Sequence, residues 1–483
     1  MQADRRTRRL TLVATALGSS LAFLDTTVVA VALPSMEEDL GLGLAGQQWV
    51  YLAYALTLSG LYLLSGAVGD RVGLRRAFVG GVVMFAAASL VCAVASTGGM
   101  LIAGRALQGV GGAVLTTTSL ALLRVVWAGE AGRAIGLWTS LTSVATIGGP
   151  PLGGVVVEAI SWRWVFFLNL PFAATAIALA LVGRGAGEET GGRSTLDVVG
   201  AVLSAVGLVG LTFTLVEVRI RGLVEVLPAA VVGVACLVAL GVWTRRVANP
   251  LVPPRLLRRP GIVAANVVTI VVYAALGAQL LFLPVYLQFV GLSPAVAGLV
   301  FTPPALALVL LAPRFGRMAD RRGPRVPIAA GAAVIACGVL LLLPVDDEAS
   351  AWRWLPVSLF VFAIGLSAVV APITAAALGP APEDLAGVAS GLNQTASRVG
   401  GIVSVAALGA LAGAVFAAAG GDGSTPFDPS LSGGDREAGV DAFRVVVVGI
   451  ALLAFVGSAL AATLLRPRRD PALDRGRDRP ATS

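Results

Sequence analysis

The sequence predicts an all-α integral membrane protein built as two six-helix bundles with two further helices between them. Three observations carry that expectation. Of 483 residues, 57% are hydrophobic and only 13% are charged, against roughly 25% charged in an ordinary soluble chain, and the mean hydropathy is +0.88. Apolar stretches of bilayer-spanning length recur about fourteen times between Leu10 and Leu465. One polar phrase occurs twice: Gly66-Ala-Val-Gly-Asp70-Arg71-Val-Gly73-Leu-Arg75 returns 250 positions later as Gly316-Arg-Met-Ala-Asp320-Arg321-Arg-Gly323-Pro-Arg325.

Each apolar stretch approaches the roughly 20 residues that a helix needs to cross the hydrocarbon core. Six lie at 10–33, 47–68, 77–97, 100–123, 134–157 and 164–183. Two follow at 196–216 and 223–243, and six more at 261–284, 295–313, 326–344, 354–378, 388–417 and 443–465. The repeated phrase joins stretch two to three and stretch ten to eleven. Matching its copies pairs stretches one to six with nine to fourteen and leaves seven and eight as an insertion. The expected organisation is therefore an N-terminal bundle (1–183), two inserted helices with a linker (184–260), a C-terminal bundle (261–465) and a tail (466–483). The tail alternates Arg, Asp and Pro, a composition expected to be disordered. Residues 418–442, rich in Gly, Ser, Asp and Pro, are expected to form the longest outside loop. Two related bundles sharing a central path are the usual construction of a secondary transporter.

The net charge of +8 is topological. All 35 basic residues are Arg; with the N-terminus inside, 27 fall in inside segments and 6 in outside ones. By the positive-inside rule both termini are cytoplasmic, and no nucleic-acid partner is implied. Arg5, Arg6, Arg8 and Arg9 precede an apolar run that reaches Leu33 and contains Asp25. That run exceeds the roughly 7–15 residues of a signal core, so it is expected to be retained as the first helix. Cys92, Cys236 and Cys337 all lie in apolar stretches, which argues against disulfides. The chain has no His, no metal-ligand cluster and no Walker-type nucleotide loop. An enzyme, a metal, a cofactor and ATP hydrolysis are therefore not expected. Exclusive use of Arg with abundant Ala, Val and Gly fits a GC-rich bacterial genome.

Chemistry is expected where polar groups enter the apolar stretches. Asp25 stands in Leu24-Asp25-Thr26-Thr27-Val28 of the first. A charge at the bilayer centre costs about 2.5–3.5 kcal/mol, and protonating an ordinary aspartate at pH 7 costs about 4 kcal/mol. With costs so close, modest changes of surroundings move such a group across its titration point. Asp25 then couples protons or binds substrate, or it is a structural carboxylate paired with Arg105 or capped by Thr26 and Thr27. In the fourth stretch, Leu101-Ile-Ala-Gly-Arg105-Ala-Leu-Gln108-Gly109-Val-Gly111-Gly112 places Arg105, Gly109 and Gly112 on one helical face. Arg105 cannot itself give up a proton, so its expected role is to act on a carboxylate such as Asp25, or to orient helices by an ion pair. In the fifth, Gly136, Ala145, Gly149-Pro150 and Gly153-Gly154 give a small-residue face with a bend at proline.

These phrases resemble the major facilitator superfamily, within it the fourteen-span drug:proton antiporter family. The family's loop signature matches Gly66, Asp70, Arg71, Gly73 and Arg75, and again Gly316, Asp320, Arg321, Gly323 and Arg325. The first-helix phrase is similar to the family's, which usually carries Asn where this chain has Ala30, and the Arg105 phrase matches its fourth-helix motif. The fifth-stretch pattern is similar to its antiporter motif, with Ala145 in place of one Gly. Trp162-Arg163-Trp164-Val-Phe-Phe-Leu-Asn169-Leu-Pro171 and Gly391-Leu-Asn393-Gln394-Thr395-Ala-Ser397-Arg398 extend the resemblance. It implies the major facilitator fold and alternating-access export of drugs or antibiotics from a bacterial cytoplasmic membrane, driven by a proton gradient without ATP. Asp25 and Arg105 are the expected proton-coupling pair. Thr26, Gln108, Trp138, Asn393, Gln394 and Arg398 are candidate substrate-cavity residues, and the two loops a cytoplasmic gate. The expected partners are a small-molecule substrate, protons and lipid, with the chain acting as a monomer. Import or export of one endogenous metabolite and a non-transporting scaffold or sensor are the alternatives.

Overall fold

The structure, a computed structural model, describes residues 5–127, 131–182, 197–247, 250, 254–378, 386–421 and 426–465. Among these the regular structure is helical, with no strand. The N-terminal helices are α1 (Arg5–Leu40), α2 (Gly43–Val72), α3 (Leu74–Ala93), α4 (Gly98–Val126), α5 (Ala131–Ala159), α6 (Arg163–Phe167) and α7 (Asn169–Val182). Next come α8 (Val198–Arg221), α9 (Leu223–Trp243) and the short α10 (Pro254–Leu257). The C-terminal helices are α11 (Pro260–Phe289), α12 (Pro294–Leu299), α13 (Thr302–Arg322), α14 (Arg325–Leu340), α15 (Glu348–Leu378), α16 (Ala386–Ala418) and α17 (Gly433–Leu464). Helical segments stand at each expected stretch. Eleven among the described residues are long and apolar enough to cross a membrane. The rest are α2 of 30 residues, α5 of 29 and α14 of 16.

Sequence chemistry explains where helices stop. Pro171 has no amide to offer the Phe167 carbonyl, and the sixth stretch divides at Leu168 into α6 and α7. Pro303 and Pro304 open α13, where missing amides cost no helical bond. The repeated phrase ends both α2 and α13 in the same way. Gly73 (φ +95°) and Gly323 (φ +88°) close those helices, their amides donating to the Gly69 and Ala319 carbonyls at 3.0 and 2.8 Å. With ψ of 132° and 158°, both sit in a region that side chains strongly disfavour. Gly73→Ala and Gly323→Ala are each expected to cost about 1–3 kcal/mol, measurable as a lower melting temperature of the purified protein.

One expected loop is partly helix. Residues 433–442, placed by composition in the outside loop, are the opening turns of α17. Asp435 stands in the first turn, where a carboxylate complements the helix dipole, and Ala438, Val440 and Ala442 are buried.

The core sits on α1, where Val28 to Leu33 are completely buried. This helix packs on α4, α5 and α7, while α2 packs on α4 and α3 on α4. On the other side α11 packs against α16 and α17, and α14 against α15 and α17. The inserted α8 and α9 form a pair whose α8 leans on both α2 and α16. Trp49 of α2 secures it by donating to Glu217 at 2.8 Å.

N- and C-terminal helices meet through α5–α12, α2–α16 and α1–α11. Gln48 donates to the Val405 carbonyl at 2.8 Å, Gln288 to the Val31 carbonyl at 3.0 Å, and the Ala295 amide to Glu158 at 3.1 Å. All three contacts lie toward the helix ends that the arginine distribution assigns to the outside.

Candidate functional site

Asp25, near the middle of α1, is 1% exposed. A carboxylate so deeply buried must be paired or hydrogen-bonded, and its partners come from two other helices. Arg105 of α4 is completely buried and its Nη1 donates to Asp25 Oδ2. Oδ1 accepts from Gln108 Nε2 and from Asn169 Nδ2, each at 3.2 Å. Gln108 also accepts from Arg105 Nη1 at 2.7 Å, so one amide bridges both charges. Ser89 of α3 closes the network, accepting from Gln108 at 2.7 Å and Asn169 at 3.3 Å.

The glycine face of α4 puts Arg105 in this position. A Cβ on Gly109 would lie 2.6 Å from the Tyr54 carbonyl and 3.0 Å from the Leu58 amide, so α2 approaches α4 almost backbone to backbone. Arg105 Nε consequently reaches the Val50 carbonyl at 3.1 Å. The guanidinium lies 4.5 Å from the Tyr54 ring centroid and 5.9 Å from that of Phe166. Its Nη2 has no hydrogen-bond partner among the described residues. The two rings flank the guanidinium as a whole, an attraction worth about 2 kcal/mol when water is absent. Arg105 thus has neutral support that survives without Asp25, whereas the pair as a whole is sealed from solvent.

Thr26 and Thr27 do not cap the carboxylate. Their hydroxyls donate along α1 to the Ala22 and Leu24 carbonyls, both at 2.9 Å. The structure also spreads the candidate substrate residues over several places. Gln108 belongs to the ion-pair network. Trp138 packs edge-on to Phe23 at 6.3 Å and donates to the Thr15 carbonyl at 3.3 Å. Asn393 donates to Thr269 at 2.9 Å within the C-terminal helices. Gln394 is exposed, and Arg398 is half-buried with its guanidinium 5.5 Å from the Tyr62 ring, bridging α16 and α2.

The small-residue face of α5 serves two neighbours. Gly149 and Gly153 lie against Thr27 and Val28 of α1. Gly154 lies against the Pro294 carbonyl at the start of α12, and Gly298 of α12 against the Pro150 carbonyl in return. On the α12 side both glycines meet backbone, so no side chain can yield, whereas on the α1 side Gly149 and Gly153 meet the Thr27 and Val28 side chains. The arginines expected in the two loops stand on helix ends: Arg71 and Arg321 in the last turns of α2 and α13 and Arg325 at the start of α14 are exposed, and Arg75 in the first turn of α3 is buried. Gly316 ends no helix and lies within α13. The surroundings of Gly66, Asp70, Gly136 and Asp320 lie outside the described residues.

Sequence reasoning missed Asn169 and Ser89 as members of the site. Asn169 had a visible signal, a polar residue beside Pro171 in an apolar stretch; Ser89 had none. Asn169→Ala is expected to leave Ser89 and Asp25 each one donor short, costing about 1–3 kcal/mol, measurable by thermal unfolding in detergent.

Comparison with known proteins gives consistent relatives. The sequence model described as Major Facilitator Superfamily matches residues 15–405. The multidrug resistance protein Stp of Mycobacterium tuberculosis is 33% identical over 86% of this chain and 77% of its own length. The cephamycin export protein CmcT of Amycolatopsis lactamdurans is 36% identical over 91% and 90%. Among solved structures, a bacterial homolog of the human lysosomal transporter Spinster superposes with a TM-score of 0.66 at 14% identity, covering 95% of this chain and 97% of that one.

Proposed function

The chain belongs to the Major Facilitator Superfamily, and from that premise we propose that it exports drugs, antibiotics or related small molecules in exchange for protons. It is a multi-pass transporter of the bacterial plasma membrane and not an enzyme. Relatives named for multidrug resistance and cephamycin export support the substrate class. The observation that carries proton coupling is the sealed Asp25–Arg105 pair.

A proton can drive only a motion that changes how tightly the proton is bound. Here Asp25 has two alternative partners, Arg105 and H+. Protonation removes the counter-charge from a fully buried guanidinium, and breaking one side of such a pair costs about 3–5 kcal/mol. Tyr54, Phe166, Gln108 and the Val50 carbonyl lower that cost without removing it. The pair and the proton therefore exclude one another, and each favours a different spacing of α1 from α4. In the proposed cycle the outer contacts of α5 with α12 part and Asp25 is loaded from outside. Re-formation of the ion pair then expels the proton inward. Because α5 packs on α1 at Gly149 and Gly153, movement of α1 is transmitted to the outer contact at Gly154.

The substrate meets the open side of the path, where Gln394 and Arg398 are accessible and Thr26 and Asn393 are the further candidates. The two arginine-rich loops latch the cytoplasmic side in the alternate state. The chain works as a monomer and uses neither ATP nor a cofactor. Cells loaded with a lipophilic dye test the energy source. Expected are loss of efflux on adding a protonophore, persistence under ATP depletion at a held proton gradient, and no efflux by Asp25→Asn. Efflux that follows ATP and survives the protonophore contradicts the proposal.

A further inference from the structure

A groove of about 370 Å³ runs between α1, α5 and α7, and Leu141, Leu152 and Phe172 in its lining are exposed apolar side chains; its volume is within the roughly 300–1,000 Å³ of ligand pockets. Its wall is almost wholly apolar: Leu17, Leu21 and Leu24 of α1, Leu141 and Ala145 of α5, and Phe172 of α7. Asn169 lies at its inner end, but that amide already donates to Asp25 and Ser89. The groove therefore suits methylenes and offers a polar solute little. Along α1 it extends from Val13 to Leu24, a rise of about 16 Å at 1.5 Å per residue. One leaflet of the hydrocarbon core is about 15 Å thick. Below Val13, Arg9 and Arg6 stand four and seven residues back, on the same helical face, and both are exposed.

We propose that this groove is a binding site for an anionic phospholipid of the leaflet in which Arg6 and Arg9 lie. One acyl chain fills the groove as far as Asn169, and the phosphate pairs with the two arginines. An acyl chain of one leaflet has the matching length, the groove has the matching polarity, and the arginines carry the complementary charge. The occupant ends against a residue that hydrogen-bonds Asp25, so this lipid bears directly on the ion-pair network. The inference requires only that the chain spans a membrane and does not depend on proton coupling.

Phosphatidylglycerol carrying a diazirine near the end of one chain, mixed into phosphatidylcholine vesicles with the intact protein, tests the site. Irradiation is expected to label the α1, α5 and α7 peptides of the groove more than α9, whose exposed Val231, Val234 and Val238 face bulk lipid. Gly148 lines the groove and a Cβ there meets nothing within 4 Å, so Gly148→Phe starts its side chain in open space and occupies the groove. That variant is expected to lose about tenfold of the labelling, the equivalent of roughly two buried methylenes. Arg6→Gln with Arg9→Gln is expected to erase the preference for the phosphatidylglycerol probe over a phosphatidylcholine one. Labelling of the groove no stronger than that of α9 in the unaltered protein overturns the proposal, whatever the variants do. So does undiminished labelling of Gly148→Phe, equal labelling by both probes, or displacement of the label by a transported dye, which would assign the groove to solute.

Discussion

Replacing Asp25 by Asn is expected to destabilise the protein by about 3–5 kcal/mol and to abolish uphill transport. The loss of stability arises because Arg105, completely buried, keeps its charge and loses its counter-ion. Arg105→Gln strands the carboxylate in the same way. Combined, Asp25→Asn and Arg105→Gln leave two neutral amides in a pocket that still holds Gln108, Asn169 and Ser89. The double variant is expected to recover most of the stability lost by either single one, since replacing a buried pair by neutral groups is often close to neutral. It is not expected to recover transport driven by a pH gradient. Melting temperatures in detergent and flux in vesicles, read on all three variants, separate the roles. A double variant that melts normally and still pumps would make the pair a structural strut.

The second large effect concerns the outer contact. Gly154→Leu and Gly298→Leu each drive a side chain into the backbone of the facing helix, at Pro294 and Pro150 respectively. Overpacking costs about 1–3 kcal/mol, and here it falls only on the state in which α5 and α12 touch. The equilibrium should therefore shift toward the outward-open form by about 5–150-fold. Ala297, on α12 and completely buried, reports that opening when replaced by cysteine in a background without Cys92, Cys236 and Cys337. An impermeant maleimide added outside is expected to label it faster in both leucine variants. Gly241→Leu on α9, where a Cβ meets nothing within 4 Å, is expected to leave the labelling rate unchanged. Equal rates in all variants would mean that this contact does not close the outer side.

Charge in an apolar background is what made most of the fold legible. Two polar phrases in equivalent places revealed the internal repeat, and the structure gives a physical reason for their shared glycine: Gly73 and Gly323 both end helices at positive φ. Asp25 and Arg105 were legible as partners because two opposite charges in hydrocarbon have little alternative to meeting. The resemblance of the phrases pointed to the Major Facilitator Superfamily, and the sequence comparison established membership of that superfamily.

What was not legible depends on neighbours distant in sequence. Asn169 reaches Asp25 across 144 positions and Ser89 joins through Gln108; uncharged side chains do not announce their partners. Gln108, expected in a substrate cavity, instead bridges both charges because α2 and α4 pack on the Gly109 face. Reciprocity between Gly154 and Gly298 likewise needs both helices in view, since glycine fits close packing against any neighbour. The start of α17 was hidden for another reason: Gly, Ser and Asp mark loops and also helix beginnings.

The central claim is that solute leaves against its gradient while protons enter through a carboxylate that cannot hold H+ and Arg105 together. Purified protein in sealed vesicles, with an imposed pH gradient and a fluorescent substrate and pH dye read simultaneously, tests it most directly. Expected are substrate accumulation on the acidic side, matched by proton movement the other way, with both signals absent in Asp25→Asn. Accumulation without proton movement, or proton-linked accumulation by Asp25→Asn at the unaltered rate, would contradict it.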